Sequence, residues 1–302
     1  MPEISAGRRN AVWRIGSLMP AALMLIALSI YPVFNLLGLS LSEVHWADGQ
    51  STSTYVGLDN YRQVFNNEPV YWAGVSNTIL FAFVAVTFQM VLGFCMALSV
   101  QNLRGIPRAI LTAIFLLPIV IPPIVIGAMW RLLLGRDFGM VNALLQGLGL
   151  PAVDFLGNPD IALFSVIAVD VWHWTPFVFL LLLTGLESLD QEVFDAARFD
   201  VTSGWQRLRH ITLPLMMPTI LITLGLRLIL SFKVFDEIYL LTGGGPGTAT
   251  EVINFSIYRT FFAQDKIGLG SAMSVLTLGA VAVLIVVVNG AIRIRRKKEA
   301  KT

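Results

Sequence analysis

The amino-acid sequence predicts an all-α, polytopic membrane protein with six transmembrane helices, and three observations carry that prediction. The 302 residues are 56% hydrophobic and only 13% charged, far from the roughly 25% charged residues of soluble domains. Mean hydropathy is +0.73, and the apolar residues fall in blocks long enough to cross a ~30 Å hydrocarbon core, which takes about 20 residues of helix. Runs such as Ile119 to Met129 and Leu276 to Val288 are apolar on every face. Lipid-spanning barrels need short segments of strict alternation instead, so helices are the remaining way to satisfy every backbone polar group.

The spans are predicted at about 17–41, 73–100, 108–134, 161–187, 213–241 and 269–292, giving a transmembrane domain over 17–292 between an N-tail, 1–16, and a basic C-tail, 293–302. The first run follows Arg8, Arg9 and Arg14 as a signal peptide does, but it continues to about Leu41 with no small-residue cleavage site. It is therefore expected to remain as a span. Lys and Arg set the orientation. Arg8, Arg9, Arg14, Arg104, Arg108, Arg198, Arg207, Arg209 and six residues from Arg293 to Lys301 lie on one side, against Arg62, Arg136, Arg259 and Lys266 on the other. The positive-inside rule places both termini in the cytoplasm.

Basic residues at span ends act as topology signals, and the net charge of +2 offers no basic surface for nucleic acid. Cys95 is the single cysteine, which excludes an intrachain disulfide and leaves a thiolate metal site short of ligands. His45, His173 and His210 are scattered without a His-Glu-x-x-His arrangement, so no metal site and no catalytic residue is expected. The glycine cluster Gly243-Gly244-Gly245-Pro246-Gly247 lacks the Gly-Lys-Ser/Thr of a phosphate-binding loop and reads as a turn.

Connection 188–210 is the cytoplasmic loop with helical design. Ser188 and Gln191 have the spacing of a capping box. Val193, Phe194 and Ala197 recur at helical spacing against Asp190, Glu192, Asp195, Arg198 and Asp200, and a turn is expected near Ser203-Gly204. A helix lying in the headgroups has the same pattern.

Within this loop Asp195-Ala196-Ala197-Arg198-Phe199-Asp200, then Trp205-Gln206 and Ile211-Thr212-Leu213-Pro214, resembles the Glu-Ala-Ala loop of permease subunits of binding-protein-dependent ATP-binding-cassette (ABC) importers. Asp195 stands where Glu is usual and Val201 where the motif has Gly. Phe232 to Tyr239, Leu241 to Pro246, Tyr258-Arg259, Gly268-Leu269-Gly270, Ala272 to Val275, Asn77-Thr78 and Gly139 to Asn142 resemble the carbohydrate-uptake branch of that family. The resemblance implies an ABC importer permease fold in which Asp195, Ala196, Ala197, Asp200, Ser203 and Gly204 form a coupling helix that docks on the ATPase. It also implies a second homologous permease, two ATPase subunits that bind ATP and Mg, and an extracytoplasmic solute-binding protein as partners. No cofactor is expected on this chain. The solute class would be oligosaccharides, polyols or glycerol phosphates.

Charges inside the bilayer cost about 2.5–3.5 kcal/mol each at a helix centre unless paired or hydrated. Asp170 lies about ten residues, roughly 15 Å, from the outer end of its span, beside Trp172, His173 and Trp174. Arg227, Lys233 and Asp236 lie in the fifth span, where Lys233 has the i+3 and i+4 spacing to pair with Asp236 or Glu237. These residues read either as a solute path, with carboxylates and rings matching sugar hydroxyls and faces, or as pairs that hold helices together. Two other classes stay open: an ion-coupled carrier working through Asp170, and an integral membrane enzyme, for which no cluster of acids, bases or metal ligands is seen at one face.

Overall fold

The computed structural model describes residues 3–47, 50–190 and 203–299. Chain contacts divide the protein into two compact units, residues 1–68 with 257–277, and residues 69–256 with 278–302.

In the first unit, α1 (Glu3–Ser40) is followed by a hairpin of β1 (Ser42–Ala47) and β2 (Gln50–Tyr55) and by α2 (Asp59–Asn67). The strands pair antiparallel, with Ala47 opposite Gln50. This hairpin was not among the predicted elements. Asn60 joins the unit, its side-chain amide donating to the carbonyls of Ser40 and Ser42 at 3.0 Å each. A Cβ on Gly268 would fall on the Ser42 carbonyl, so only glycine lets the start of the last helix pass here.

The second unit is built on α3 (Pro69–Gln101) and α7 (Ala162–Glu187). Gly93 sets their separation, since a Cβ there would stand 2.8 Å from Val178 Cγ1 and 3.0 Å from the Phe179 nitrogen. Ala97, Val100, Val178, Phe179, Leu182, Leu186 and Met216 are buried together at one end of the contact. Around this pair stand α4 (Gly105–Val120) and α8 (Gly204–Ser231), the latter containing a wider π-type turn at Leu208–Thr212.

Two predicted spans are interrupted. The third is split into α4 and α5 (Pro123–Leu133), which meet at 93°. Pro122-Pro123 at the break removes successive backbone donors and restricts the preceding residues. The fifth ends at Ser231, and α9 (Asp236–Leu241) is a separate helix. α5 and α9 pack on each other, and Gly127 again permits the approach, as a Cβ there would meet the Leu240 side chain. The short helices α6 (Met140–Gly147) and α10 (Ile253–Tyr258) and the long α11 (Ile267–Glu299) complete the chain. Among the described residues five helices are long and apolar enough to cross a membrane, or six spans if the bent α4–α5 pair is one.

Candidate functional site

The polar groups of the second unit converge on one stripe of α7. Asp170, His173 and Trp174 stand at i, i+3 and i+4, which puts them on one helical face. Gln89 of α3 donates through Nε2 to Asp170 Oδ2 at 2.7 Å and to the Asp170 carbonyl at 3.2 Å. Arg227 of α8 donates through Nε to Gln89 Oε1 at 2.7 Å and through Nη2 to Asp170 Oδ2 at 3.1 Å, and its guanidinium carbon lies 5.1 Å from the Trp174 ring centroid. Three helices are thereby joined by an amide, a carboxylate and a guanidinium that satisfy one another. Removing one member strands a charge in a low-dielectric interior, whereas the complete set is compensated.

Asp170 is 3% and Arg227 1% exposed. Asp170 and Arg227, expected along a solute path or as a pair that holds helices together, are thus buried and engaged with each other and with Gln89. Burial of a guanidinium demands this many acceptors, and only close packing of three helices supplies them. Trp172 is half-buried and meets Trp130 edge to face at 5.4 Å between centroids. Trp174 packs against His173 and Phe177.

Lys233 and Asp236 are both exposed. The expected pairing of Lys233 with Asp236 or Glu237 requires continuous helix, but residues 232–235 are not helical, and among the described residues no ion pair joins them. Glu237 is buried and faces His173 instead, Oε1 to Nδ1 at 3.4 Å, which ties α9 to α7. The helix break thus leaves Lys233 and Asp236 as accessible charges next to a buried pair.

Gln89 escaped the sequence reading because an uncharged amide in an apolar run raises no charge signal, although a glutamine there needs a partner as surely as an acid does. Asn77 and Thr78 also acquire a role. Asn77 Nδ2 donates to the carbonyls of Thr248, Ala249 and Glu251 at 2.9, 3.2 and 2.9 Å. Thr78 Oγ1 accepts from the Ile253 nitrogen at 3.0 Å and donates to the Gly74 carbonyl at 2.7 Å. The glycine-rich turn is therefore held against α3, in keeping with a structural turn rather than a phosphate loop.

Of the coupling-loop residues, Asp195, Ala196, Ala197 and Asp200 lie outside the described residues, as does Gln191. Ser188 does not begin a helix. It ends α7 in helical geometry, and its hydroxyl donates to the Gly185 carbonyl at 2.7 Å. Ser203 precedes α8 in extended geometry, with Gly204 as the first helical residue and Trp205 exposed beside it. Arg108 and Glu187 form an ion pair between α4 and the end of α7.

Residues 89–299 match the family described as binding-protein-dependent transport system inner membrane component. The chain is 40% identical, over 74% of its length and 75% of the relative's, to the trehalose/maltose transport system permease protein MalF of Thermococcus litoralis. It is 32% identical to the trehalose transport system permease protein SugA of Mycobacterium tuberculosis, covering 92% of this chain and 88% of that one. Similarity at 29% identity extends to the sulfoquinovosyl glycerol transport system permease protein SmoG of Agrobacterium fabrum, with 86% of this chain and 83% of the relative covered. The fold matches a chain of a bacterial ABC transporter involved in the import of the acidic polysaccharide alginate, with TM-score 0.82 and 23% identity over 96% of this chain and 99% of that one. These relatives are permeases, not enzymes. With a family match over more than half its length and a 40% identical relative, the chain is a multi-pass membrane protein that belongs to the binding-protein-dependent transport system inner membrane component family.

Proposed function

We propose that this chain is one of two permease subunits of an ATP-driven importer that receives a sugar or sugar-like solute from an extracytoplasmic binding protein and releases it in the cytoplasm. The observation that carries this reading is the 40% identity to a trehalose/maltose permease over three quarters of both chains. Relatives named for trehalose and for sulfoquinovosyl glycerol support the polyhydroxylated class, within which oligosaccharides, polyols and glycerol phosphates remain the candidates. Both termini lie in the cytoplasm, where ATP and Mg are bound by two partner ATPases.

Asp195, Ala196, Ala197 and Asp200, leading into Ser203 and Gly204, dock in the ATPase cleft. Small residues there allow close approach, and bulk costs about 1–3 kcal/mol. Along the solute path the six candidate residues divide by exposure. Asp170 and Arg227 hold the helices, with Trp174 covering the guanidinium, while Lys233, Asp236 and Trp172 meet the solute around the break after Ser231. This division is supported by the buried network and the exposed charges described above.

The reading is tested by reconstituting the chain with its partner permease, ATPases and binding protein in vesicles. Sugar uptake should require ATP and the binding protein, and Ala197→Trp should abolish solute-stimulated ATP hydrolysis while the complex still inserts. Uptake driven by an ion gradient without the ATPases would overturn it. The ion-coupled alternative relies on a proton-exchanging acid near the midplane, and Asp170 is already engaged by Arg227 and Gln89.

A further inference from the structure

A groove of about 450 Å³, open to the surface, lies in the second unit between α5, the connection after α6 and the first turns of α7. Its size falls within the roughly 300–1,000 Å³ of small-molecule sites, and Trp130, Leu134, Phe155, Ile161, Phe164 and Val169 make its walls apolar. Ala162 to Val169 are the first eight residues of the α7 span, about 12 Å at the helical rise. The groove therefore sits at the depth of one leaflet's hydrocarbon, which is about 15 Å. Walls this apolar at that depth suit an apolar chain.

The rim carries charge of both signs. Arg136 Nη1 is 3.8 Å from Asp154 Oδ2, and their side chains are 65% and 38% exposed. Asp154 lies between the wall residues Val153 and Phe155, and Arg136 lies two residues past Leu134. So long and exposed a pair has little binding energy of its own; Asp154 Oδ1 also accepts from the Gly157 nitrogen at 2.9 Å, which fixes the carboxylate at the rim while its side chain stays partly exposed.

The platform beside the rim is rigid. Asn142 Nδ2 donates to the carbonyls of Gly135, Arg136 and Val153 at 3.1, 3.2 and 2.9 Å, and its Oδ1 accepts from the Val153 nitrogen at 2.8 Å. With Asn142 buried, Met140 and Leu144 on the same short helix, and Leu148 just past its end, are exposed at helical spacing, the pattern of a helix lying at a membrane interface.

We propose that this groove is a binding site for one zwitterionic phospholipid with a primary ammonium, its acyl chain between Trp130 and Phe164, its phosphate on Arg136 and its ammonium on Asp154. A neighbouring cation and carboxylate match phosphate and ammonium in a way that a purely anionic headgroup does not. The assignment to the outer leaflet rests on the orientation proposed above; the site itself does not.

The test uses the intact transporter reconstituted in phosphatidylcholine vesicles containing a minor fraction of a phospholipid with a photoreactive acyl chain, carrying either an ethanolamine or a glycerol headgroup. Labelled peptides are then mapped. Label should concentrate on the peptides holding Trp130, Phe155 and Phe164, with the ethanolamine lipid favoured. Ala168→Phe, which fills the groove, should remove that label while leaving label on α1 unchanged. Arg136→Gln should lower labelling at the site by about two- to five-fold, the size expected for a contact from a largely exposed cation. If Ala168→Phe fails to insert, Ser165→Leu carries the same test with less added volume. Even labelling along all exposed apolar helices, equal labelling by both headgroups, or a groove silent to lipid but cross-linked to the second permease would each overturn the proposal. Because both leaflets carry the probe, an inverted topology leaves the expected labelling intact, so failure of the site and failure of the orientation are distinguishable.

Discussion

Helices α1 and α7 have nearly the same apolar character and opposite surroundings. The span Gly16–Ser40 within α1 has mean hydropathy 2.0, with none of its most apolar window buried; Ala162–Glu187 has 1.8, with 61% of that window buried. What distinguishes them is where polar groups occur. The α1 span has no charged residue, and Leu18, Leu23, Leu28 and Phe34 point outward. In α7, Asp170 and His173 are buried and partnered. In water a buried core is recognised by its apolar residues. In lipid, where the solvent is equally apolar, the packed interior is recognised by the polar groups that only packing can satisfy.

The largest effect that sharpens this contrast is expected at Arg227. Arg227→Leu leaves Asp170 and Gln89 without their guanidinium, and breaking a buried pair typically costs about 3–5 kcal/mol. Thermal unfolding of the detergent-solubilised complex should show a large loss. The double variant Asp170→Leu with Arg227→Leu should recover part of it, because no charge is then stranded. Equal losses in the single and double variants would break the description of the network as a mutually compensated set.

Gly93→Leu should come next, since a Cβ already stands too close to Val178 and Phe179 and overpacking costs about 1–3 kcal/mol. Its matched control is Gly38→Leu on α1, where nothing lies within 4 Å of the added Cβ. Within this chain the control is expected to be close to neutral. A loss at Gly38 that appears only in the assembled transporter would show that a partner subunit covers α1.

The smallest effect is expected at Asp236. It is exposed and outside the network, so Asp236→Asn should leave the unfolding temperature within the scatter of ordinary surface changes, about 0.5 kcal/mol. Solute-stimulated ATP hydrolysis should fall, as a higher solute requirement. Unchanged transport would remove Asp236 from the path.

Much of the helical organisation was legible because lipid imposes it. A span must be apolar for about 20 residues and must close its own hydrogen bonds. The break at Pro122-Pro123 falls inside a span predicted as continuous over 108–134, although two adjacent prolines remove successive ladder donors. The break after Ser231 carries no such signal, because Phe232-Lys233-Val234-Phe235 holds neither proline nor glycine. It is decided by neighbours: Asn254 Nδ2 donates to the carbonyls of Phe232 and Val234 at 3.3 and 3.5 Å, and Glu237 turns to His173.

Composition and block length were enough to determine the class of protein and the membrane as its solvent, because these follow from transfer energies that each segment meets independently. Which charges face one another was decided only by tertiary structure. Gln89, Asp170 and Arg227 are separated by 81 and 57 residues along the chain, and no local periodicity links them. Their pairing exists because α3 and α7 close on Gly93 and α8 packs against both, and a buried guanidinium is tolerable only where that packing brings its acceptors.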